Sequence, residues 1–160
     1  MPGIDHVVVF GIQYFILDFL IRRFNTGFFQ QPKDKIIADY KRRMDTSLGK
    51  DAVLPDHIAA LHDLGYLPVR IKALPEGTLC PLRVPILTIV NTLPEFYWLT
   101  NHLETILSVV LWHPITSATI AHQYRLLLDK FADETSDMAG FVPWQGHDFS
   151  MRGQSSFEAA

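Results

Sequence analysis

Apolar and polar residues recur along the chain with two different periods, and these periods predict the order of its helices and strands. The apolar run from Val7 to Phe24 predicts a buried helix. Residues 25–32 contain glycine, proline and glutamines, which predict a loop. In residues 35–48 the apolar positions follow helical spacing, so an amphipathic helix is expected there. A short helix should follow between Pro55 and a left-handed glycine at Gly65.

The period changes to two in the middle of the chain, which indicates strands. Residues 69–73 alternate apolar and charged side chains, as half-buried strands do. The turn Pro75-Glu76-Gly77 separates them from two further short strands, expected at residues 78–80 and 85–90. We therefore expect a small group of antiparallel strands in this part of the chain.

Helical periodicity returns after the strands and predicts two helices that are separated at a proline. The first is capped near Thr92 and extends to Leu111, and the second begins at Pro114 and extends to about Asp133. A loop is expected at residues 136–146, which contain two glycines and a proline. The predicted fold class is α+β, with helices packed on the small antiparallel strand group.

Composition and charge exclude some classes of partner. The 160 residues are 48% hydrophobic and 19% charged with a formal net charge of −3, so the chain has no general attraction for nucleic acid or anionic lipid. The apolar run Val7–Ile21 includes Gln13 and Asp18 and is shorter than the roughly 20 residues that cross a bilayer, so we predict no membrane span there. The single cysteine, Cys80, is compatible with a cytoplasmic location and is expected to be buried in a strand.

Basic and histidine residues give two weaker hypotheses. Arg22-Arg23 and Lys41-Arg42-Arg43 could gather phosphates, but a solvated helix face is the simpler interpretation of both groups. His57 and His62 are five residues apart and do not share a helix face well, so no metal site is predicted from them.

The residues that carry the main candidate chemistry lie between His147 and Gly153. An imidazole, a carboxylate, an aromatic ring and a guanidinium occur there within six positions. The Phe149 ring could stack on a flat heteroaromatic base, and Arg152 could hold phosphate or amide oxygens. From the residues alone, a core position for Phe149 and a surface ion pair for Arg152 are open alternatives. Farther on, Ser155–Glu158 fits a capping box, which predicts the start of a helix.

Six stretches, in this order along the chain, together carry a family resemblance. They are Phe10–Tyr14, Leu67–Gly77, Asn91–Asn101, Leu103–Leu107, Trp112–Thr116 with Ala118-Thr119, and His147–Phe149 with Arg152-Gly153. Taken together they are similar to the nicotinamide phosphoribosyltransferase family, a resemblance that covers about Val7 to Ala160 and is weakest between Asn25 and Asp63. Ser150-Met151 differs from the Gly-Tyr that animal members of the family carry at this place.

The resemblance implies a transfer reaction. Members of the family join nicotinamide to 5-phosphoribosyl-1-pyrophosphate, giving nicotinamide mononucleotide and pyrophosphate in NAD salvage. By this resemblance Phe149 corresponds to the phenylalanine that stacks on the nicotinamide ring, and Arg152 corresponds to an arginine that lines the same pocket. His147 and Asp148 would lie beside the base, with a structural hydrogen-bonded pair at a strand end as the alternative. Mg²⁺ would accompany the phosphoribosyl pyrophosphate, and ATP could stimulate the full enzyme.

The resemblance also implies that this chain is the N-terminal portion of the enzyme. The predicted domains are residues 1–140, a helical and antiparallel-strand domain, and residues 141–160, where the first strand of an incomplete α/β barrel begins near His147. The catalytic groups and metal ligands of the family have no match here, so we expect no catalytic residue and no turnover from the chain alone. The full enzyme is expected to be a cytoplasmic homodimer that binds neither nucleic acid nor membrane.

Two other functions remain open at this point. The chain could be a free-standing, non-catalytic relative that binds a partner or a nicotinamide-like ring through the region around Phe149. Within the enzyme class, the base could be nicotinate, because the residue that reads the ring substituent in the family has no match in this chain.

Overall fold

The computed structural model of the protein describes residues 3–156. They form a mixed structure of helices and two small antiparallel sheets, which confirms the predicted α+β class. The strands are β1 (His6–Val8), β2 (Val69–Ala73), β3 (Leu79–Pro81) and β4 (Leu87–Asn91). The helices are α1 (Ile12–Tyr14, continued by π-helical turns over Phe15–Arg23 and Asn25–Phe29), α2 (Lys33–Leu48), α3 (Asp56–Leu64) and α4 (Leu99–Thr135), with 3₁₀ turns at Pro94–Phe96 and Ala139–Trp144.

The described residues form two compact units, and each unit holds one of the sheets. The first unit consists of the described parts of Met1–Gly11, Leu74–Ile86 and Ser108–Ala160, and the second consists of Ile12–Ala73 and Leu87–Leu107. Helix α4 contributes its first turns to the second unit and the rest of its length to the first. The domain boundary predicted near residue 140 stays a prediction.

In the first unit, a buried hydroxyl group ties a strand to a helix. Strand β1 pairs antiparallel with β3, and Val7 lies opposite Cys80, which is 1% exposed as predicted for a strand cysteine. The Val8 N–H donates to Oγ1 of Thr119 at 3.0 Å, and the Thr119 hydroxyl donates to the carbonyl oxygen of Ile115 at 2.6 Å. Thr119 is only 2% exposed, so both of its hydrogen bonds are protected from water.

The second unit contains the elements that the sequence predicts best. Strand β2 occupies residues 69–73 as predicted and pairs antiparallel with β4, so that Ile71 lies opposite Ile89. Helix α3 ends at Gly65, which has the predicted left-handed conformation with φ 77°. An ion pair of 2.6 Å between Lys33 Nζ and an Asp63 oxygen links α2 to α3. The buried apolar side chains of this unit are Ile12, Phe15, Leu20, Leu61, Pro68, Phe96, Leu99 and Leu103.

The helix predicted over Val7–Phe24 is wrong at its N-terminal end. Residues 6–8 form β1, because a run of β-branched valines suits a strand and β3 supplies its hydrogen-bonding partner. Gly11 then takes φ 92°, a conformation that ends the strand and that a helix cannot include. The helix therefore begins at Ile12.

The loop predicted at residues 25–32 is also wrong, because π-helical turns continue through Phe29. Aromatic packing accompanies this extension. The Phe28 and Phe29 ring centroids lie 4.9 Å apart with the rings nearly perpendicular, and the Phe28 ring also contacts the His62 ring at 5.4 Å.

The helix break predicted at Pro114 is wrong, because α4 is one helix of 37 residues. A proline inside a helix costs about 3 kcal/mol through its missing hydrogen bond and its steric clash. Pro114 is flanked by the buried residues Leu111 and Thr119, and its ring lies directly against Gly11. Packing within the first unit thus offsets the local cost of the proline.

The last described residues form turns. The loop predicted at residues 136–146 contains the 3₁₀ turn Ala139–Trp144. No strand is assigned near His147 within the part of the chain that the structure describes, and the barrel strand expected there stays a prediction. A strand requires a hydrogen-bonded neighbour, and β1–β4 pair only with one another. The capping box predicted at Ser155–Glu158 extends outside the described residues.

Candidate functional site

The segment His147–Gly153, which we call the candidate segment, lies in the first unit with every residue exposed. It follows the 3₁₀ turn Ala139–Trp144, in which Val142 is 2% exposed. Trp144, at the end of that turn, is 75% exposed. One buried valine therefore anchors a stretch of chain whose aromatic side chains remain accessible.

Two successive turns determine the backbone of the candidate segment. In the first, the Arg152 N–H donates to the Phe149 carbonyl oxygen at 3.3 Å, and Ser150 occupies the first central position with φ 56°. A positive φ at this position, without one at Met151, is the pattern of a type II′ turn, whose first central position favours glycine. In the second turn, Gly153 supplies a φ of 87°.

The Asp148 side chain supports the first turn. Its Oδ1 accepts a hydrogen bond of 2.7 Å from the Ser150 N–H, an Asx interaction that stabilises the backbone two residues farther along the chain. The hydrogen bond observed for Asp148 goes to Ser150, and the roles expected for His147 and Asp148 beside the base stay predictions. Asp148 acts on the shape of the segment.

Phe149 and Arg152 lie at the two ends of the type II′ turn. Phe149 is 73% exposed, so the alternative in which it packs in a core does not hold in this structure. The side chains of Arg152 and His147 form no hydrogen bond or ion pair with other residues in the range 3–156. The turn thus presents, close together in the chain, an accessible ring face and a guanidinium that no residue in the range 3–156 pairs with.

Sequence reasoning missed the part played by Ser150. Only a few per cent of residues other than glycine adopt positive φ, and Ser150 is one of them. The available signal was the departure from the family pattern, since serine stands here where animal members carry glycine. A glycine at that place is what a type II′ turn favours, and the backbone shape explains the residue type.

The basic residues that could have gathered phosphates are engaged with carboxylates. Arg22 and Arg23 both hydrogen-bond to Asp18, and the hydrogen bond from Arg22 is the main reason why the pKa of Asp18 lies below its usual value. Lys41 Nζ lies 2.8 Å from an Asp45 oxygen. These carboxylates offset part of the positive charge of both basic groups, as expected of a solvated helix face.

The histidines of the second unit have separate partners. His57 Nε2 lies 3.0 Å from the Tyr40 hydroxyl, and the His57 ring centroid lies 4.9 Å from that of Trp98. Burial lowers the pKa of His57 below its usual value, and the nearby His102 acts in the same direction. His62 bonds to a backbone carbonyl. Among residues 3–156, no group of three or more His, Cys, Asp or Glu side chains is placed to hold a metal ion.

Comparison with known proteins identifies relatives of the chain. No protein-family model matches it. Over 157 residues, 98% of the chain, it is 55% identical to a nicotinamide phosphoribosyltransferase of Acinetobacter baylyi. Over 97 residues it is 39% identical to a protein of the same name from Mycoplasma pneumoniae, a match to 59% of the chain. It is 40% identical, also over 97 residues and 60% of the chain, to one from Xanthomonas campestris pv. campestris.

The chain spans only part of the length of these relatives. The matches cover 31% of the Acinetobacter protein, 22% of the Mycoplasma protein and 20% of the Xanthomonas protein. The shared name and the 55% identity confirm the family resemblance that the sequence predicts. The chain is therefore homologous to a part of nicotinamide phosphoribosyltransferases.

Proposed function

We propose that this chain, homologous over 98% of its length to part of a nicotinamide phosphoribosyltransferase, forms one wall of the nicotinamide slot in such an enzyme. The enzyme would join nicotinamide to 5-phosphoribosyl-1-pyrophosphate and release pyrophosphate, giving nicotinamide mononucleotide for NAD salvage. The observation that carries the proposal is the 55% identity over 157 of the 160 residues. A match of that extent includes the turn Phe149–Arg152.

The transfer sets physical requirements that the turn can partly meet. The pyridine nitrogen must approach C1 of the ribose while pyrophosphate departs and positive charge develops on the sugar, so the base has to be held in one orientation. Phe149, at 73% exposure, offers a ring face for stacking. Arg152 offers guanidinium donors to the carboxamide oxygen of the base or to a phosphate. In this arrangement Asp148 keeps the turn in shape and His147 lies beside the base.

The described residues do not fit a role as the Mg²⁺ site. Carboxylate and water oxygens are the ligands that Mg²⁺ prefers, and residues 3–156 bring no three potential metal ligands together. We propose no preformed Mg²⁺ cluster among residues 3–156. The metal ligands, the groups through which ATP would act and the catalytic residues would come from other parts of the enzyme, so we expect no turnover from the chain alone.

We infer that the base is the amide and not the acid, because the three relatives compared above are all named for nicotinamide. We propose a homodimer for the full enzyme, since the largely exposed Phe149 forms one wall and leaves its ring open to a second. A cytoplasmic location agrees with the single buried cysteine, Cys80. The net charge of −3 gives no reason to expect nucleic acid or a membrane surface as a partner.

Nicotinamide titrations followed by NMR test the proposed wall. We expect weak, saturable shifts of the backbone amides between Phe149 and Arg152, because one wall of a slot binds loosely. Phe149→Ala should abolish the shifts. Met151→Ala is the matched control, since Met151 is 58% exposed in the same turn. Equal shifts in both variants, or none in the unmodified chain, would contradict the proposal.

A turnover assay separates the enzyme from a non-catalytic binder. Nicotinamide, phosphoribosyl pyrophosphate and Mg²⁺ should give no nicotinamide mononucleotide with the chain alone. Adding the separately produced part of the Acinetobacter relative that lies outside the match should restore product formation. Product from the chain alone would disprove its expected inactivity. Nicotinamide binding without product, after the two pieces are shown to associate, would favour the binder.

A further inference from the structure

One face of α4 carries an apolar stripe that nothing in the described structure covers. Its members are three, four or eight positions apart, and they are between 36% and 64% exposed. At about 100° per residue they fall within an arc of about 120° around the helix. We call this surface the α4 stripe; it consists of Val109, Trp112, Ile120, Tyr124, Leu127 and Phe131.

The α4 stripe lies opposite the face that packs inside the first unit. Leu111 and Ala132, on the far side of the helix, are 5% exposed or less, and Thr119, which is 2% exposed, lies between that side and the Trp112 edge of the stripe. The helix therefore has two apolar faces, of which one packs inside the first unit and the other is exposed in the described structure. The three aromatic rings of the stripe alone expose roughly 350 Å². Single proteins rarely expose continuous apolar patches above about 300–600 Å² unless the patch has a function.

A lipid bilayer is a poor occupant for this surface. Helix α4 is long and apolar enough to cross a membrane by length and composition, with a mean hydropathy of 1.2 over its most apolar window, of which 17% is buried. Insertion, however, would break the hydrogen bond between Val8 and Thr119. It would also place the ion pair between Arg125 and Asp129 next to lipid.

A second copy of the chain also fits the stripe poorly. Residues 105–124 of α4 have no charged side chain, whereas residues 125–134 have five. In an antiparallel pair, the charged end of each helix would lie beside the uncharged part of the other, and those charges would lose water without gaining partners. In a parallel pair, the two charged ends would lie side by side, so that identical residues with like charges would face each other.

We propose that the α4 stripe docks the additional polypeptide that the relatives have outside the part matched by this chain. The match covers 31% of the Acinetobacter relative, so more than half of that protein lies outside it. A tethered segment meets the stripe at a high effective concentration. A longer chain also buries a larger share of its surface when it folds. The α4 stripe is apolar surface that the described residues leave exposed. The proposal rests on the homology and on the exposed stripe, and it does not depend on base transfer.

Association of two separately produced polypeptides tests this proposal. One is the 160-residue chain, and the other is the part of the Acinetobacter relative outside the match. We expect the two to elute together in size-exclusion chromatography, and Leu127→Asp to lower the co-eluting fraction at least tenfold. Ser47→Asp is the matched control, because Ser47 is exposed on a different helix, α2. Equal loss in both variants, or none in either, would overturn the docking site.

Thiol labelling gives a readout that does not depend on the folding of a charged variant. Leu127→Cys should react readily with a maleimide in the isolated chain and several-fold more slowly once the second polypeptide is added. Ser47→Cys on α2 should react at the same rate in both cases, and Cys80 is buried and should react slowly throughout. Slower labelling of Leu127→Cys at higher concentrations of the chain alone would identify a second copy as the occupant. Protection by phosphatidylcholine vesicles would identify a membrane, and either result would overturn the proposal.

Discussion

Replacing Gly11 by alanine tests the packing that lets α4 continue through a proline. Gly11 has φ 92°, and an ideal Cβ at this residue would lie 2.8 Å from Cγ and 3.2 Å from Cβ of Pro114. Its N–H also donates to a Glu76 oxygen at 2.9 Å, which restricts how far the backbone can shift. Neither the backbone angle nor the Pro114 ring can adapt easily to an added methyl group.

Two physical terms contribute to the expected loss of stability. A residue other than glycine in a sparsely populated region of φ costs about 1–3 kcal/mol. An overpacked contact with a rigid neighbour adds about 1–3 kcal/mol. Gly77 isolates the first term, since it has φ 82° and an added Cβ would meet no atom within 4 Å. Gly11→Ala should therefore lower the free energy of unfolding by about 2 kcal/mol more than Gly77→Ala does.

Thermal unfolding followed by circular dichroism measures this difference. For a chain of this size about 2 kcal/mol corresponds to roughly 4–8 °C in Tm, which places the Gly11 variant clearly below the Gly77 variant. Adding Pro114→Ala to Gly11→Ala should recover part of the loss, because the two residues are coupled through one contact. Equal Tm values for the two glycine variants would refute the reasoning, as would a double variant whose effects simply add.

Three further predictions concern other contacts. Thr119→Val should cost about 1–3 kcal/mol by leaving the Val8 N–H unpaired, with faster hydrogen exchange at Val8, whereas Thr119→Ser should keep the acceptor and the protection. The pKa of His57 is lowered by burial, so the unfolded chain binds the proton first, and stability should fall as the pH drops below about 6.5. Urea titrations across that range should show a smaller fall for His57→Gln, and an unchanged fall would contradict the assignment. Ser150→Gly should relieve about 1 kcal/mol of backbone strain in the candidate segment and slow exchange of the Arg152 amide, and faster exchange would count against the II′ turn.

Local patterns predict a large share of the second unit. Strand β2 and its alternation, the amphipathic α2 and the glycine that ends α3 all follow from residues within one or two turns of each other. Such signals depend on side-chain period and on the conformational range of single residues, which the sequence displays directly. The fold class and the family resemblance could be stated from the same information.

The candidate site was only partly accessible to this reasoning. The resemblance points to Phe149 and Arg152, but the sequence does not show that Phe149 is exposed or that the two residues bracket a tight turn. The positive φ of Ser150 and the carboxylate of Asp148 that supports it appear only with the backbone in place. Serine itself has no strong preference for this conformation, so the only signal of the turn was the glycine that family members carry at this place.

The sequence by itself determined where the chain alternates, where most helices lie and which family it resembles, because each of these depends on residue types and short spacings. Tertiary structure decided that residues 6–8 form a strand and that α4 passes through Pro114. Both outcomes depend on partners far away in the chain: Val8 and Thr119, which share a hydrogen bond, are 111 positions apart. At Pro114 local propensity favoured the opposite result, and packing between distant segments was stronger. At residues 6–8 the valines suit a strand, but the strand forms only because β3 pairs with it.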